Sequence, residues 1–140
     1  NLFATLRKDQ SLIPTAVNEI VRFVTPVVHQ RRTALEDFEL GGKQISTGDK
    51  VIMFYVSGNR DESVFTDPDR LILDRTEPRI LSFGSGIHHC IGFRIARMQL
   101  QHMWAGILDR FTDIELIEQS TRSRSNFVQG FLKMPVIARA

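Results

Sequence analysis

The sequence predicts an α+β fold in which helix predominates, and three observations carry that expectation. Val17, Ile20, Val21 and Val24 recur at the spacing of one helical face. Between residues 27 and 56 the pattern changes to short β-prone runs broken by Gly41-Gly42 and Thr47-Gly48-Asp49. From residue 91 to 111, Ile91, Ile95, Met98, Trp104, Ile107, Leu108 and Phe111 supply an apolar side for the longest helix of the chain.

Each element has a local reason. Residues 1–8 read as the end of a helix whose beginning lies upstream, so the chain is expected to be a piece of a longer polypeptide. Pro14 suits an early helical position, where its missing N–H costs nothing, and the helix 14–24 stops before Pro26. Residues 27–56 form a small antiparallel β region. Residues 57–61 read as a break or a very short helix. Residues 62–82, which include Pro68 and Pro78, hold no sustained period of either kind, and some twenty irregular residues inside a compact domain are more often functional than not. A glycine-bearing loop, 83–92, leads into the long helix 91–111. Residues 113–140 form a C-terminal β region, with strands at 114–117 and 130–138 around a loop.

Composition sets bounds. The chain has 140 residues, 42% apolar and 24% charged, which suits one globular domain and excludes a disordered chain. The net charge of +2, from 18 Lys and Arg against 16 Asp and Glu, is scattered and too weak to suggest nucleic acid. The longest apolar run, residues 51–56, falls far short of the roughly 20 residues a membrane helix requires, so no span is expected. No targeting pattern opens the chain, and a cytoplasmic location is expected. The single cysteine, Cys90, excludes an intrachain disulfide and must be core filler, a reactive thiol or a metal ligand.

Its neighbours bear on that choice. A sulfur just ahead of a helix sits near unpaired N–H groups and the positive end of the helix dipole, both of which favour thiolate. A free cysteine is ordinarily buried and inert, but a packing cysteine has no use for glycines on the approach to it. Gly84 and Gly86 let the backbone bend tightly and come close to something large and flat. The string Phe83-Gly84-x-Gly86-x-His88-x-Cys90-x-Gly92, followed by Ala96-Arg97, closely resembles the haem-binding signature of the cytochrome P-450 monooxygenases.

That resemblance implies the C-terminal part of the cytochrome P-450 fold, residues 1–140 being a C-terminal fragment of its single domain. It implies haem b as cofactor, with Cys90 as proximal thiolate to the iron and Phe83, Gly84, Gly86 and Gly92 shaping the loop. Glu19 and Arg22 stand three apart on the first full helix; such a spacing is usually just a solvated pair. Here it resembles the family's Glu-x-x-Arg helix, and the family's third partner, eight residues before the loop phenylalanine, falls on Arg75. The resemblance makes these three a structural ion network. It also makes His88 and Arg32 propionate contacts, a carboxylate needing such donors when partly buried. Thr25, Val27 and Val28 after the helix, and Phe127 and Val128 in the C-terminal loop, correspond to walls of the substrate pocket. His89 is expected only to pack or to face solvent.

The chemistry implied is insertion of one oxygen atom of O2 into a C–H bond of a small apolar substrate, because a thiolate ligand favours O–O cleavage. Electrons would come from ferredoxin and its reductase. The runs Arg32-Thr33-Ala34-x-x-Asp37-x-Glu39-Leu40-Gly41-Gly42 and Arg124-Ser125-Asn126-Phe127 are similar to soluble bacterial members acting on sterol side chains or methyl-branched lipids. The helix that activates oxygen in the family has no counterpart here, so the fragment alone is expected to be inactive. Two other classes stay open: a non-haem metal site on His88, His89 and Cys90, and a non-catalytic binding module with Cys90 in its core.

Overall fold

Asp9 opens the first well-ordered unit: its carboxylate accepts the Ser11 N–H at 3.0 Å and so caps the 3-10 turn Gln10–Leu12, which runs straight into α2 (Ile13–Val24). Pro14 sits in the first turn of α2, and the helix closes at Thr25, whose backbone turns left-handed just before Pro26. The computed structural model describes residues 2–76 and 79–140. Asn1, and Glu77 and Pro78 within the 62–82 segment, lie outside the described residues.

The elements in order are α1 (Leu2–Lys8), α2, β1 (His29–Thr33), β2 (Phe38–Leu40), β3 (Lys43–Ile45), β4 (Lys50–Phe54), α3 (Tyr55–Gly58), a 3-10 turn (Gly86–His88), α4 (Phe93–Arg110), β5 (Asp113–Leu116), β6 (Thr121–Arg122), β7 (Phe131–Lys133) and β8 (Val136–Arg139). Helix thus carries the core and the strands form four small antiparallel pairs: β1 with β4, β2 with β3, β5 with β8 and β6 with β7.

The sequence suggests one small sheet over residues 27–56, whereas the structure has two separate ribbons there. The β1–β4 ladder ends at Thr33 and Lys50, where the Ala34 N–H bonds to the Asp49 carbonyl and Ala34 itself is buried. Beyond that point the chain leaves as the β2–β3 hairpin, held at its base by Asp37, whose carboxylate accepts from the Thr47 N–H and hydroxyl. Tyr55, expected as a strand residue, instead begins α3 and is buried.

The core gathers Leu6 of α1, Ile13, Ala16 and Val17 of α2, Leu73 of the irregular segment before the cysteine loop and Leu108 of α4, with Leu100, Trp104 and Ala105 packed against it. The apolar side expected along residues 91–111 divides accordingly. Leu108 is buried, whereas Ile91 precedes the helix fully exposed, and Ile95 and Met98 are exposed on it. Periodicity reports that a face is apolar, not which neighbour covers it, and the core meets α4 only from Leu100 onward.

In the C-terminal region the loop between β6 and β7 returns to the exit of α2. Val27 and Val128 form an isolated antiparallel bridge, the Val28 N–H bonds to the Phe127 carbonyl at 2.9 Å, and the Gln129 N–H to the Pro26 carbonyl at 2.7 Å. Among the described residues no helix is long and apolar enough to cross a membrane.

Leu108→Ala is expected to lower unfolding free energy by about 2–5 kcal/mol in urea titration of the folded protein, because it leaves a void among fully packed neighbours. The exposed Met98→Ala should change it by less than about 0.5 kcal/mol.

Candidate functional site

The deepest polar feature is a charge cluster. Arg22 has no exposed surface and Glu19 has 2%. Their contact is bidentate: Arg22 Nε donates to Glu19 Oε2 at 2.7 Å and Nη2 to Oε1 at 2.8 Å. Arg75 Nε approaches the same Oε2 at 3.0 Å, and the Ile72 N–H donates to Oε1 at 2.9 Å. The remaining Arg22 donors reach the carbonyls of Asn59, Pro68 and Arg70, so all five of its N–H groups are used. Arg75 donates to the carbonyls of Thr66, Asp67 and Arg70. Phe65, 1% exposed, lies under both guanidinium groups, with its ring centre 5.1 Å from Arg22 and 6.0 Å from Arg75.

Burial alone would push the Glu19 carboxyl upward, but the hydrogen bonds from Arg22, Ile72 and Arg75 outweigh it and hold the group below its ordinary 4.5. A group depressed in this way stabilises the fold fully above the unfolded value near 4.5 and loses that contribution as pH falls through its lower, folded value.

The cysteine loop closes on itself. Gly84 N–H bonds to the Leu81 carbonyl at 2.8 Å, His89 N–H to Gly86 at 3.0 Å, and Cys90 N–H to Phe83 at 2.8 Å. Gly84 has φ +74°, and a Cβ there would stand 3.1 Å from the His88 carbonyl oxygen, so both conformation and space require glycine. Gly86 has φ +63° with nothing within 4 Å of a Cβ, so its backbone conformation alone asks for glycine. Gly92 differs: at φ −86° it is the N-cap residue of α4, and its backbone needs no glycine. Phe83 meets the Phe93 ring at 6.3 Å between centres. His89 packs edge-on against Phe93 at 4.5 Å.

Cys90 is exposed, and on either side of it Ile87 and Ile91 are fully exposed at 98% and 102%. Two isoleucines bare beside a bare thiol make an apolar surface built to be covered. His88 is exposed at the end of its 3-10 turn. Arg32 is half-buried where Arg31 is exposed, as strand alternation requires, and among the described residues it bonds within its own strand, to the Arg31 carbonyl and Gln30 Oε1. A cavity of about 630 Å³ lies by Phe83, His89, Phe93, Arg75, Arg79 and Arg97, and Cys90 is not among its walls.

Of the expected pocket walls, Val27, Val28, Phe127 and Val128 are brought together by the bridge already described, with the His29 ring between Phe54 and Phe127 at 5.7 Å from each. Thr25 is a correction: it has no exposed surface, and its hydroxyl donates to the Arg22 carbonyl at 2.6 Å and accepts from Asn59 Nδ2 at 2.8 Å. A side chain spent on the interior offers nothing to a pocket. Sequence reasoning missed Asn59, Ser82 and Phe65, all buried or half-buried partners of the network; the polar Asn59 directly after Gly58 carried no periodic or motif signal.

The structure thus sets an exposed cysteine on a glycine-shaped loop beside a buried Glu–Arg–Arg cluster. The donor set fits haem: an exposed thiol with no hydrogen-bond partner among the described residues, apolar flanks that suit a macrocycle and an exposed His88 within the same loop that suits a propionate. Among the described residues no three His, Cys, Asp or Glu side chains gather as an ion site, which leaves the His88–His89–Cys90 metal site without support. Residues 5–137 match the family model described as Cytochrome P450. The linalool 8-monooxygenase of Pseudomonas putida is 48% identical over 132 residues, which are 94% of this chain and 32% of that protein. The methyl-branched lipid omega-hydroxylase of Mycobacterium bovis is 41% identical over 126 residues, 89% of this chain and 29% of that one. The solved structure of cytochrome P450-153 from Novosphingobium aromaticivorans superposes with a TM-score of 0.93 at 48% identity, over 96% of this chain and 34% of its own. The chain belongs to the cytochrome P450 family, whose cofactor is haem, and it spans about a third of the length of these relatives.

Glu19→Gln should cost about 3–5 kcal/mol at neutral pH, because two buried guanidinium groups lose their counter-charge. Thermal unfolding as a function of pH should show the wild type losing stability below about pH 4.5 and the variant following a flatter acid limb. An unchanged acid limb would remove Glu19 from this account.

Proposed function

We propose that this chain is the thiolate-bearing part of a haem monooxygenase that hydroxylates a small apolar substrate with a methyl-branched chain, a sterol side chain or a methyl-branched lipid. The single observation that carries the reading is the exposed Cys90 on a loop closed by its own backbone hydrogen bonds. When bound through a thiolate, haem b supplies the oxidation: O2, two electrons and two protons give one oxygen atom inserted into a C–H bond and one molecule of water.

The chain's own residues do the rest. Cys90 donates the sulfur. Phe83, Gly84 and Gly86 keep the loop narrow, and Gly92 leaves room beside the Cys90 sulfur at the start of α4. His88 and Arg32 would hold propionates as cationic donors. Val27, Val28, Phe127 and Val128 present apolar surface to the substrate and exclude water from it. The linalool and the methyl-branched lipid named for two relatives are both branched and largely hydrocarbon, which supports this substrate class. The electron donors proposed are ferredoxin and its reductase, in the cytoplasm. The distal walls and the oxygen-activating helix are taken to belong to a longer polypeptide, without which this segment is inactive.

Reduction of the full-length protein under CO should give the far-red-shifted Soret band of thiolate ligation, and Cys90→Ala should abolish it. An unshifted band in the wild type would sink the reading. Turnover should require ferredoxin and reductase; equal turnover with peroxide alone would overturn that partner. Phe127→Ala should raise KM for an apolar substrate by about tenfold or more, since covering the exposed Phe127 ring with substrate would take apolar surface out of water, worth about 1.5–3 kcal/mol for a full side chain.

A further inference from the structure

One face of a single helical turn meets the entrance of the cysteine loop at three points. Tyr55, Gly58 and Asn59 stand at i, i+3 and i+4 on α3 and its cap. The Tyr55 hydroxyl lies 3.5 Å from where a Cβ on Gly84 would stand. A Cβ on Gly58 would overlap Leu81 Cδ1, so the loop entrance lies directly on that glycine. Asn59 makes the polar contacts: its Oδ1 accepts the Leu81 N–H at 2.7 Å, and its Nδ2 donates to Ser82 Oγ at 2.9 Å and to Thr25 Oγ1 at 2.8 Å. Ser82 in turn donates to the Val21 carbonyl at 2.7 Å. Asn59 has no exposed surface, both of its amide hydrogens are used, and its backbone carbonyl accepts Arg22 Nη1 at 2.6 Å.

Its third partner is strained. Thr25 has φ +43°, a left-handed conformation unfavourable for a β-branched residue that persists only where its surroundings over-determine it. The bonds to Val21, Arg22 and Asn59 do so. The strained turn is what sends the chain out of α2 into Val27 and Val28, while Leu81 and Ser82 are the last residues before Phe83.

We infer that Asn59 is a positioning residue that fixes the thiolate loop and the substrate-side segment 25–28 relative to one another through one buried amide. The inference rests on the haem-thiolate reading for its consequence and on geometry alone for the coupling. A backbone amide held by a rigid, fully buried side chain places the loop independently of any cofactor, and the same side chain sets the turn that aims the pocket wall. Loss of Asn59 should therefore loosen two segments far apart in sequence while sparing the helices between and around them.

The experiment is hydrogen–deuterium exchange on the full-length haem-loaded protein, wild type against Asn59→Ala, with the reduced-CO spectrum of each. Exchange at residues 81–90 and at 25–28 should accelerate together by about tenfold, with the core amides of α2 and α4 unchanged. The red-shifted band should give way in part to the unshifted form in Asn59→Ala. Should that variant not fold, Ser82→Ala, which removes one Asn59 contact at a half-buried position, should accelerate the same two segments to a smaller extent. Acceleration spread evenly over the whole molecule, or confined to one of the two segments, would overturn the inference. A wild type lacking the red-shifted band while the two segments still respond together would instead retire the haem-thiolate reading and leave the coupling intact.

Discussion

The buried charge cluster of Glu19, Arg22 and Arg75 is the constraint on which the rest of the structure depends. One carboxylate faces two guanidinium groups, so the cluster carries an excess positive charge away from water, a state that costs several kcal/mol per ion unless every donor is met. The balance comes from backbone. Carbonyls of Asn59, Thr66, Asp67, Pro68 and Arg70 all turn inward to the two arginines, and the face of Phe65 lies against them. A carbonyl turned inward to a guanidinium is not aimed along a helix axis or at a ladder partner, although its second lone pair can still close a turn, as that of Asp67 does for the Arg70 N–H. The irregularity of the segment after α3 is thus the result of where its acceptors go, rather than a failure to form structure.

From this anchor the geometry of the site follows in two directions. Arg22 sits on the last turns of α2, so fixing it fixes the helix end, the left-handed Thr25 and the apolar residues after Pro26. Arg75 and the Ile72 N–H fix the irregular segment on its way to Leu81, where Asn59 takes over. Both strands of connection leave the same buried cluster and arrive at the cysteine loop and at the apolar segment 27–28, the two parts that the proposed function needs in register. The C-terminal loop then joins through backbone pairing, Val128 to Val27, with the Phe127 ring against His29 as its side-chain contact.

Much of this was legible in the sequence because it is local or carried by a spaced motif. The helices show in apolar periodicity, the loop in its glycines and cysteine, and the Glu19–Arg22 pair through its place in a family motif, since its three-residue spacing alone reads as a solvated pair. What stayed illegible depends on long-range burial. Residues 57–61 read only as a break or short helix, yet Asn59 is fully buried, since its partners lie 22 to 34 positions away. Thr25 was placed in a pocket wall only by its position in the family resemblance, and the tertiary contacts show its hydroxyl turned inward. The apolar stripe of α4 was read as one face because periodicity is blind to where a neighbouring helix stops.

The contrast between the backbone and the side chains of the cysteine loop bears on how a cofactor meets it. Every turn of the loop is closed from within: Gly84 to Leu81, His89 to Gly86, Cys90 to Phe83 and Phe93 to Cys90. Its apolar side chains, by contrast, are left without cover, with Ile87 and Ile91 wholly bare beside the sulfur. A loop whose polar groups were satisfied by the cofactor would pay to order its backbone on binding. This one is already ordered against Asn59 and its own carbonyls, so a cofactor of the proposed kind would have only apolar surface to bury and its bond to sulfur to form. The ordering cost is met during folding, by the same cluster that fixes the helix end, and the loop is set with Cys90 at its surface.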